Sequence, residues 1–214
     1  MRIVKDAKER RNEILDAADE LFNQKGFDHT STNDILDKVG IARGTLYYHF
    51  KSKEDIMDAL IKRYHDELLG KVKMVARDKS IPAGERIIAA VMAMNISDTK
   101  GKGVIEHIHK PQNALMHQKI QKLIVSDVTP ILAEMVCEGI KEGLFNTPFP
   151  YECIEMLIVY TNAIFDEDSV EMTDEERVRK IQGLIFNIER LLDAKSGSFK
   201  GVLKLFEREG QESS

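Results

Sequence analysis

An all-α fold is predicted by three features of this 214-residue sequence. Apolar residues recur at spacings of three and four from one end to the other. No stretch alternates strictly between apolar and polar residues, and no internal repeat is visible. Ser/Thr-x-x-Asp/Glu starts and Gly or Pro stops punctuate the pattern at helix-like intervals. Apolar residues make up 43% of the chain, enough to bury a sizeable core. Five prolines and thirteen glycines exclude collagen-like and linker-like classes.

The first stripe is Ile14, Ala17, Ala18, Leu21 and Phe22. Gly26 is the natural left-handed residue after that helix, with Phe27 folding back on its last turn in a Schellman-type end. Ser31 and Asp34 form a capping box for a second helix, whose apolar face is Ile35, Leu36 and Val39 and whose end is Gly40. A third short helix covers about Arg43 to Phe50, with Leu46 and Phe50 on one face. Ser52 and Asp55 restart the chain into a long fourth helix, residues 53 to 77, striped by Ile56, Leu60, Tyr64, Leu68 and Val72. Pro82 opens a helix to about Ile96. Residues 97–103 form a loop, and a short helical piece follows from Val104 to His109. A longer helix covers about Asn113 to Leu144, where Pro130 is expected to kink or divide it. Residues 146–150 are a firm break. Two striped helices, Tyr151 to Asp166 and Thr173 to about Asp193, flank an acidic loop, and a short last helix covers Phe199 to Phe206.

Several function classes are excluded or left unsupported. The net charge is −5, so any nucleic-acid contact must be a local patch rather than a basic coat. The longest apolar run, Ile87 to Met94, is far short of a membrane span, and no signal-peptide core follows Met1. A soluble, cytoplasmic protein is expected. Cys137 and Cys153 sit within apolar helical patterns and read as reduced, buried thiols. There is no nucleophile elbow, phosphate-binding glycine loop, dinucleotide fingerprint or HExxH helix, so no enzyme and no cofactor is expected.

Residues 31–50 carry the chemistry. Two short helices joined by a tight turn containing Gly40 make a helix-turn-helix, braced by Leu21, Phe22, Ile35, Val39, Leu46 and Phe50. Helical geometry turns Arg43, Gly44, Thr45, Tyr47 and Tyr48 away from Leu46 and Phe50, with His49 at the edge. From Arg43 to Lys53 there are three basic residues and no acid. Arg43 suits the O6 and N7 of a guanine in the major groove, and Gly44 lets backbone come close. The tyrosine hydroxyls suit phosphates or base edges, and their rings suit thymine methyls. Lys53 adds charge at the start of the fourth helix. Arg10 and Arg11 lie within reach of a neighbouring phosphate.

The run Gly40-Ile41-Ala42-Arg43-Gly44-Thr45-Leu46-Tyr47-Tyr48-His49-Phe50-Lys51-Ser52-Lys53-Glu54 resembles the signature of the TetR family of bacterial transcriptional regulators. The likeness runs from the first helix to the start of the fourth, about a quarter of the chain. The resemblance implies a homodimer that binds operator DNA and a C-terminal pocket whose occupation by a small molecule releases it. It carries DNA contacts to Thr32, Arg43, Gly44, Thr45, Tyr47, Tyr48, His49 and Lys53. One departure is Ala42, where family members often have a serine that contacts phosphate.

A DNA-binding domain at 1–68 and an effector-binding and dimerisation domain at 69–214 are therefore expected, with no metal. Candidate pocket residues are Met92, Asn95, His109, Met116, His117 and Tyr160. The cluster His107, His109 and His117 reads as polar lining of that pocket, as surface histidines or, least simply, as metal ligands, since His107 and His109 point apart on a regular helix. The apolar stripes of the two C-terminal helices are expected to pair across a two-fold axis as a four-helix bundle. Its candidate residues are Ile154, Ile158, Phe165, Ile181, Leu184, Ile185, Ile188 and Leu192.

Overall fold

The computed structural model describes residues 6–95, 114–164 and 172–203. Regular structure among the described residues is helical throughout. In order it comprises α1 (Ala7–Lys25), α2 (Thr32–Val39), α3 (Arg43–His49), α4 (Lys53–Arg77), α5 (Ala83–Asn95), α6 (Ala114–Lys141), α7 (Pro150–Ile164), α8 (Asp174–Leu191) and a 3-10 turn at Lys200–Leu203. The expected piece Val104 to His109, the acidic loop after Asp166 and the end of the expected last helix lie outside the described residues. The chain forms two compact units. Residues 6–65 and 114–120 belong to the first; residues 66–95, 121–164 and 172–203 belong to the second.

The first unit is built by local signals. Ile14, Ala18 and Phe22 of α1, Ile35 of α2, Leu46 of α3, Phe50, and Ile56 and Leu60 of α4 are all at most 2% exposed. Each of these side chains larger than alanine contributes about 1.5–3 kcal/mol on burial. That burial is what allows helices of 8 and 7 residues to persist, since neither is long enough to be stable alone. The Gly26 N–H returns to the Phe22 carbonyl at 2.9 Å, and the Phe27 ring meets Phe22 edge-on at 5.2 Å. Gly26 has φ 83° but ψ 162°, so α1 leaves through an extended glycine conformation and not the expected left-handed helical one. Gly40 does take the left-handed conformation, φ 70° and ψ 41°, and turns the chain from α2 towards α3.

The Ser31–Asp34 capping box is complete: Ser31 Oγ accepts from the Asp34 N–H, and the Asp34 carboxylate accepts from the Ser31 N–H at 2.7 Å. Asp34's carboxyl is held below the usual carboxylate range, first by the Ser31 hydroxyl and then by Lys25. At α4 only half of the expected box forms. Ser52 Oγ accepts from the Asp55 N–H, while the Asp55 carboxylate takes the Lys51 N–H at 2.8 Å.

The second unit packs around Val72, Ile87, Val128, Leu132, Met135, Val136, Ile154, Ile158, Ile181, Ile185 and Leu192. α6 runs unbroken through Pro130, so the proline removes one helical N–H without dividing the helix. Arg86 of α5, 1% exposed, donates to the Ala76 and Ile81 carbonyls at 2.9 Å each and to Glu138 of α6. Lys79 also pairs with Glu138, whose carboxyl is held low by Lys79 first and Arg86 second. The end of α4, the following turn, α5 and α6 are thereby tied through one guanidinium. A Cβ on Gly139 would meet the Phe145 ring at 2.4 Å, so this glycine is what admits that ring. Phe145 stacks on Phe199, and buried Glu189 accepts the Gly197 and Phe199 N–H groups at 2.8 and 3.2 Å. Cys137 and Cys153 are both free thiols.

The expected subunit seam requires correction. Ile154, Ile158, Ile181, Ile185 and Leu192 are buried at 8% exposure or less inside the subunit's own core, and Leu184 and Ile188 are half-buried. Phe165 lies outside the described residues. Most of the stripe therefore closes the unit itself, with Leu184 and Ile188 left at its margin. The apolar surface that remains on this pair is different: Met156, Val159, Tyr160 and Ala163 on α7, and Val178 and Phe186 on α8. On α7 these four fall at i, i+3, i+4 and i+7, one continuous outward face.

Candidate nucleic-acid interface

α3 presents the residues its spacing predicts. Leu46 turns inward at 1% exposure, while Arg43, Gly44, Tyr47 and Tyr48 are exposed, Tyr48 at 78%. Thr32, Thr45 and His49 are half-buried at the margins of that face, and His49 meets the Tyr48 ring edge-on at 4.9 Å. A Cβ on Gly44 would meet nothing within 4 Å in the subunit. Gly44 is thus a gap on the outer face, suited to the close approach of another molecule's backbone. Exposed tyrosines beside a lone arginine, with no acid between, form a surface that solvates poorly alone and fits the edges of stacked bases.

Two cations flank α3. Lys53 Nζ donates to the Phe27 carbonyl at 2.7 Å and lies 4.2 Å from the centre of the Phe27 ring. An ammonium has three donors, so this anchor fixes the amine and leaves charge to offer a phosphate. The Arg11 guanidinium lies 4.7 Å over the Phe50 ring at the end of α3. Arg10 instead pairs with Glu13 at 2.7 Å, which draws it away from the phosphate role considered for it. At Ala42 the structure gives the departure from the family pattern a physical form. Ala42 is the N-cap of α3, and no side chain there accepts a first-turn N–H.

Sequence reasoning missed Asn33. Its Oδ1 accepts from Arg43 Nη2 at 3.0 Å, joining α2 to α3 across ten residues on the exposed side. The signal was present, since Asn33 follows Thr32 on a two-turn helix beside the reading face, but periodicity ranks only apolar positions.

The six candidate pocket residues are not gathered by any observation here. Met116 is buried, Met92 and His117 are half-buried, and Tyr160 is 41% exposed. Only the backbone of Asn95 is described, and His107 and His109 lie outside the described residues. A surface hollow on α8 is lined by Glu175, Val178, Arg179 and Gln182, and another on the first unit by Arg10, Glu13 and Lys38 among others; neither touches the six. Among the described residues no group of three or more His, Cys, Asp or Glu is placed to hold a metal, and no helix is long and apolar enough to cross a membrane.

Comparison with known proteins agrees with this geometry. Residues 14–60 match bacterial regulatory proteins of the tetR family, and residues 96–185 match the tetracyclin repressor-like C-terminal domain; together these span well over half of the chain. The chain is 29% identical over 154 residues to the HTH-type transcriptional repressor KstR2 of Rhodococcus jostii, covering 67% of this chain and 71% of that protein. A TetR/AcrR-family transcriptional regulator from Thermobifida fusca superposes with a TM-score of 0.60 at 25% identity, over 82% of this chain and 96% of that one. RolR, solved with its ligand resorcinol, superposes with a TM-score of 0.60 at 13% identity, over 92% and 94%, a likeness of fold alone. With its helix-turn-helix, its exposed α3 face and both family domains in place, this chain belongs to the TetR family of bacterial transcriptional regulators.

Proposed function

We propose that the protein is a homodimeric repressor that reads a palindromic operator with α3 and leaves it when a small molecule occupies the second unit. The observation that carries the DNA reading is the outward Arg43, Gly44, Tyr47 and Tyr48 face on the second helix of a helix-turn-helix. One such helix contacts few bases, so tight binding needs two, about 34–36 Å apart on successive turns of one DNA face. The outward apolar residues of α7 and α8 supply the surface for that pairing, because exposed patches of this kind usually mark an interface. Effector release is supported by the match to the tetracyclin repressor-like C-terminal domain, and the same fold holds resorcinol in RolR. α4 is one continuous helix that begins in the first unit and ends in the second, which makes it the natural lever between two states. The protein would act in the cytoplasm, as a regulator rather than an enzyme.

The test is selection of bound sequences from random duplex DNA, followed by gel-shift titration of variants. Arg43→Ala should lose about 1–3 kcal/mol of specific binding and relax preference at one base pair per half-site. Lys53→Ala should weaken all sequences alike and flatten the salt dependence. Unchanged specific binding by Arg43→Ala would refute the reading face.

A further inference from the structure

Arg43 is exposed at the first turn of a 7-residue helix, with four rotatable side-chain bonds. Such a side chain loses much rotamer freedom when it docks on a base. Among the described residues it is held by a hydrogen bond from the neighbouring helix, where Asn33 Oδ1 accepts from Nη2 at 3.0 Å. A guanidinium offers two bidentate edges, Nε with Nη2 and Nη1 with Nη2, and each uses a different Nη2 hydrogen. A bond from Nη2 to Asn33 therefore consumes one edge and leaves the other intact. It fixes which edge faces outward as well as where the group sits.

Resting on the DNA-reading proposal above, we infer that Asn33 is the positioning residue for Arg43, and that the two act as one base-reading unit for a guanine. The residue type fits this task. A carboxylate at 33 would accept the same hydrogen bond, but it would offset the arginine's charge beside a polyanion. An amide orients the group and leaves the charge whole. Asp34, next along, is already engaged in the capping box with Ser31, so the division of labour between neighbouring side chains is clear. The Asn33–Arg43 bond is between exposed groups and contributes little to folding, so removal of it is read in recognition and not in stability.

The experiment measures the base preference of the full-length protein on its selected operator for Asn33→Ala, Arg43→Ala, the double variant and Asn33→Asp. Asn33→Ala should lose about tenfold in discrimination, at the same base pair that Arg43→Ala relaxes, with an unchanged melting temperature. The double variant should discriminate no worse than Arg43→Ala alone, because the two effects share one interaction. Asn33→Asp should keep the base preference but bind every sequence more weakly. Loss of preference at a different base pair, additive losses in the double variant, or no loss in Asn33→Ala would each overturn the positioning role while leaving DNA reading by α3 standing. Absence of any selected sequence for the wild type would overturn the DNA reading itself, and this inference with it.

Discussion

The helix-turn-helix and the α7–α8 pair are both amphipathic helical elements, yet they answer to different rules. In residues 31–50 each helix is so short that one face must be buried and the other must be free. Leu46 at 1% exposure and Tyr48 at 78% stand two residues apart. In α7 and α8 apolar residues occupy both faces: Ile158 is 7% exposed and Val159, its neighbour, 51%. A short helix with one apolar face has one way to pack. A long helix with two apolar faces has two, and periodicity alone does not say which closes the subunit and which meets another molecule.

The sharpest way to break this comparison is to place a charge on each face of α8. Ile185→Glu puts a carboxylate inside the core at a site 8% exposed, and should cost about 4 kcal/mol or more, leaving misfolded or aggregated protein. Phe186→Glu, one residue on at 58% exposure, should leave the subunit folded to within about 0.5 kcal/mol. If this outward face is the dimer surface, Phe186→Glu should run as a folded monomer in light scattering and lose tight operator binding. A folded dimer from Phe186→Glu, with Ile185→Glu giving a folded monomer, would restore the seam expected from the sequence and discard the outward one.

Arg86 offers the next largest effect. It is the largest fully buried side chain of the second unit, and it is satisfied by two carbonyls and Glu138. Arg86→Ala strands the Ala76 and Ile81 carbonyls and leaves Glu138 with Lys79 alone, which should cost about 3 kcal/mol in denaturant unfolding. Because Arg86 holds the last turn of α4, amide exchange should rise there first. A loss below about 1 kcal/mol would mean that water replaces the guanidinium at little cost, and that this tie between α4 and α6 is weak.

How much was legible follows the same division. Ser31, Asp34, Gly40, Leu46 and Phe50 are fixed by capping, turn chemistry and sterics within a few residues, so sequence alone placed α3 and its exposed side correctly. Asn33 escaped because a side-chain bond across ten residues leaves no trace in apolar spacing. Buried Arg86 escaped because a basic residue next to Glu85 at the start of a helix looks like a surface position until its acceptors are in place. The role of the C-terminal stripe was not legible because Ile181, Ile185 and Leu192, buried in the subunit's own core, satisfy an inter-subunit seam and an intra-subunit core equally well as a pattern. Gly26 shows the local limit: a glycine stop was visible, but whether it took ψ 162° or the helical value depends on Phe27 and Thr30 behind it.

The smallest effect separates the regions most cleanly, because the same device occurs in both. Ser31 with Asp34 starts α2, and Thr173 with Glu176 starts α8, each as a complete capping box. Ser31→Ala and Thr173→Ala should each cost about 1 kcal/mol. α8 has 18 residues and can fray by a turn without consequence, whereas α2 has 8 and holds Asn33 in its first turn. Operator affinity should therefore fall in Ser31→Ala and stay unchanged in Thr173→Ala. Acid should act on both caps in the same direction. Asp34 and Glu176 are held below the usual carboxylate range, Asp34 first by the Ser31 hydroxyl and Glu176 first by the Thr173 backbone N–H. Stability from a depressed carboxyl is present above its unfolded value, about 4, and is lost as the pH falls below that towards the folded one. Amide exchange at the start of α2 should thus differ most between wild type and Ser31→Ala at pH 6, and less as the carboxylate is protonated, the remainder being the bond that Ser31 Oγ still accepts from the Asp34 N–H. Equal operator affinity for Ser31→Ala and Thr173→Ala would show that the α2 cap is no more critical than its counterpart on α8.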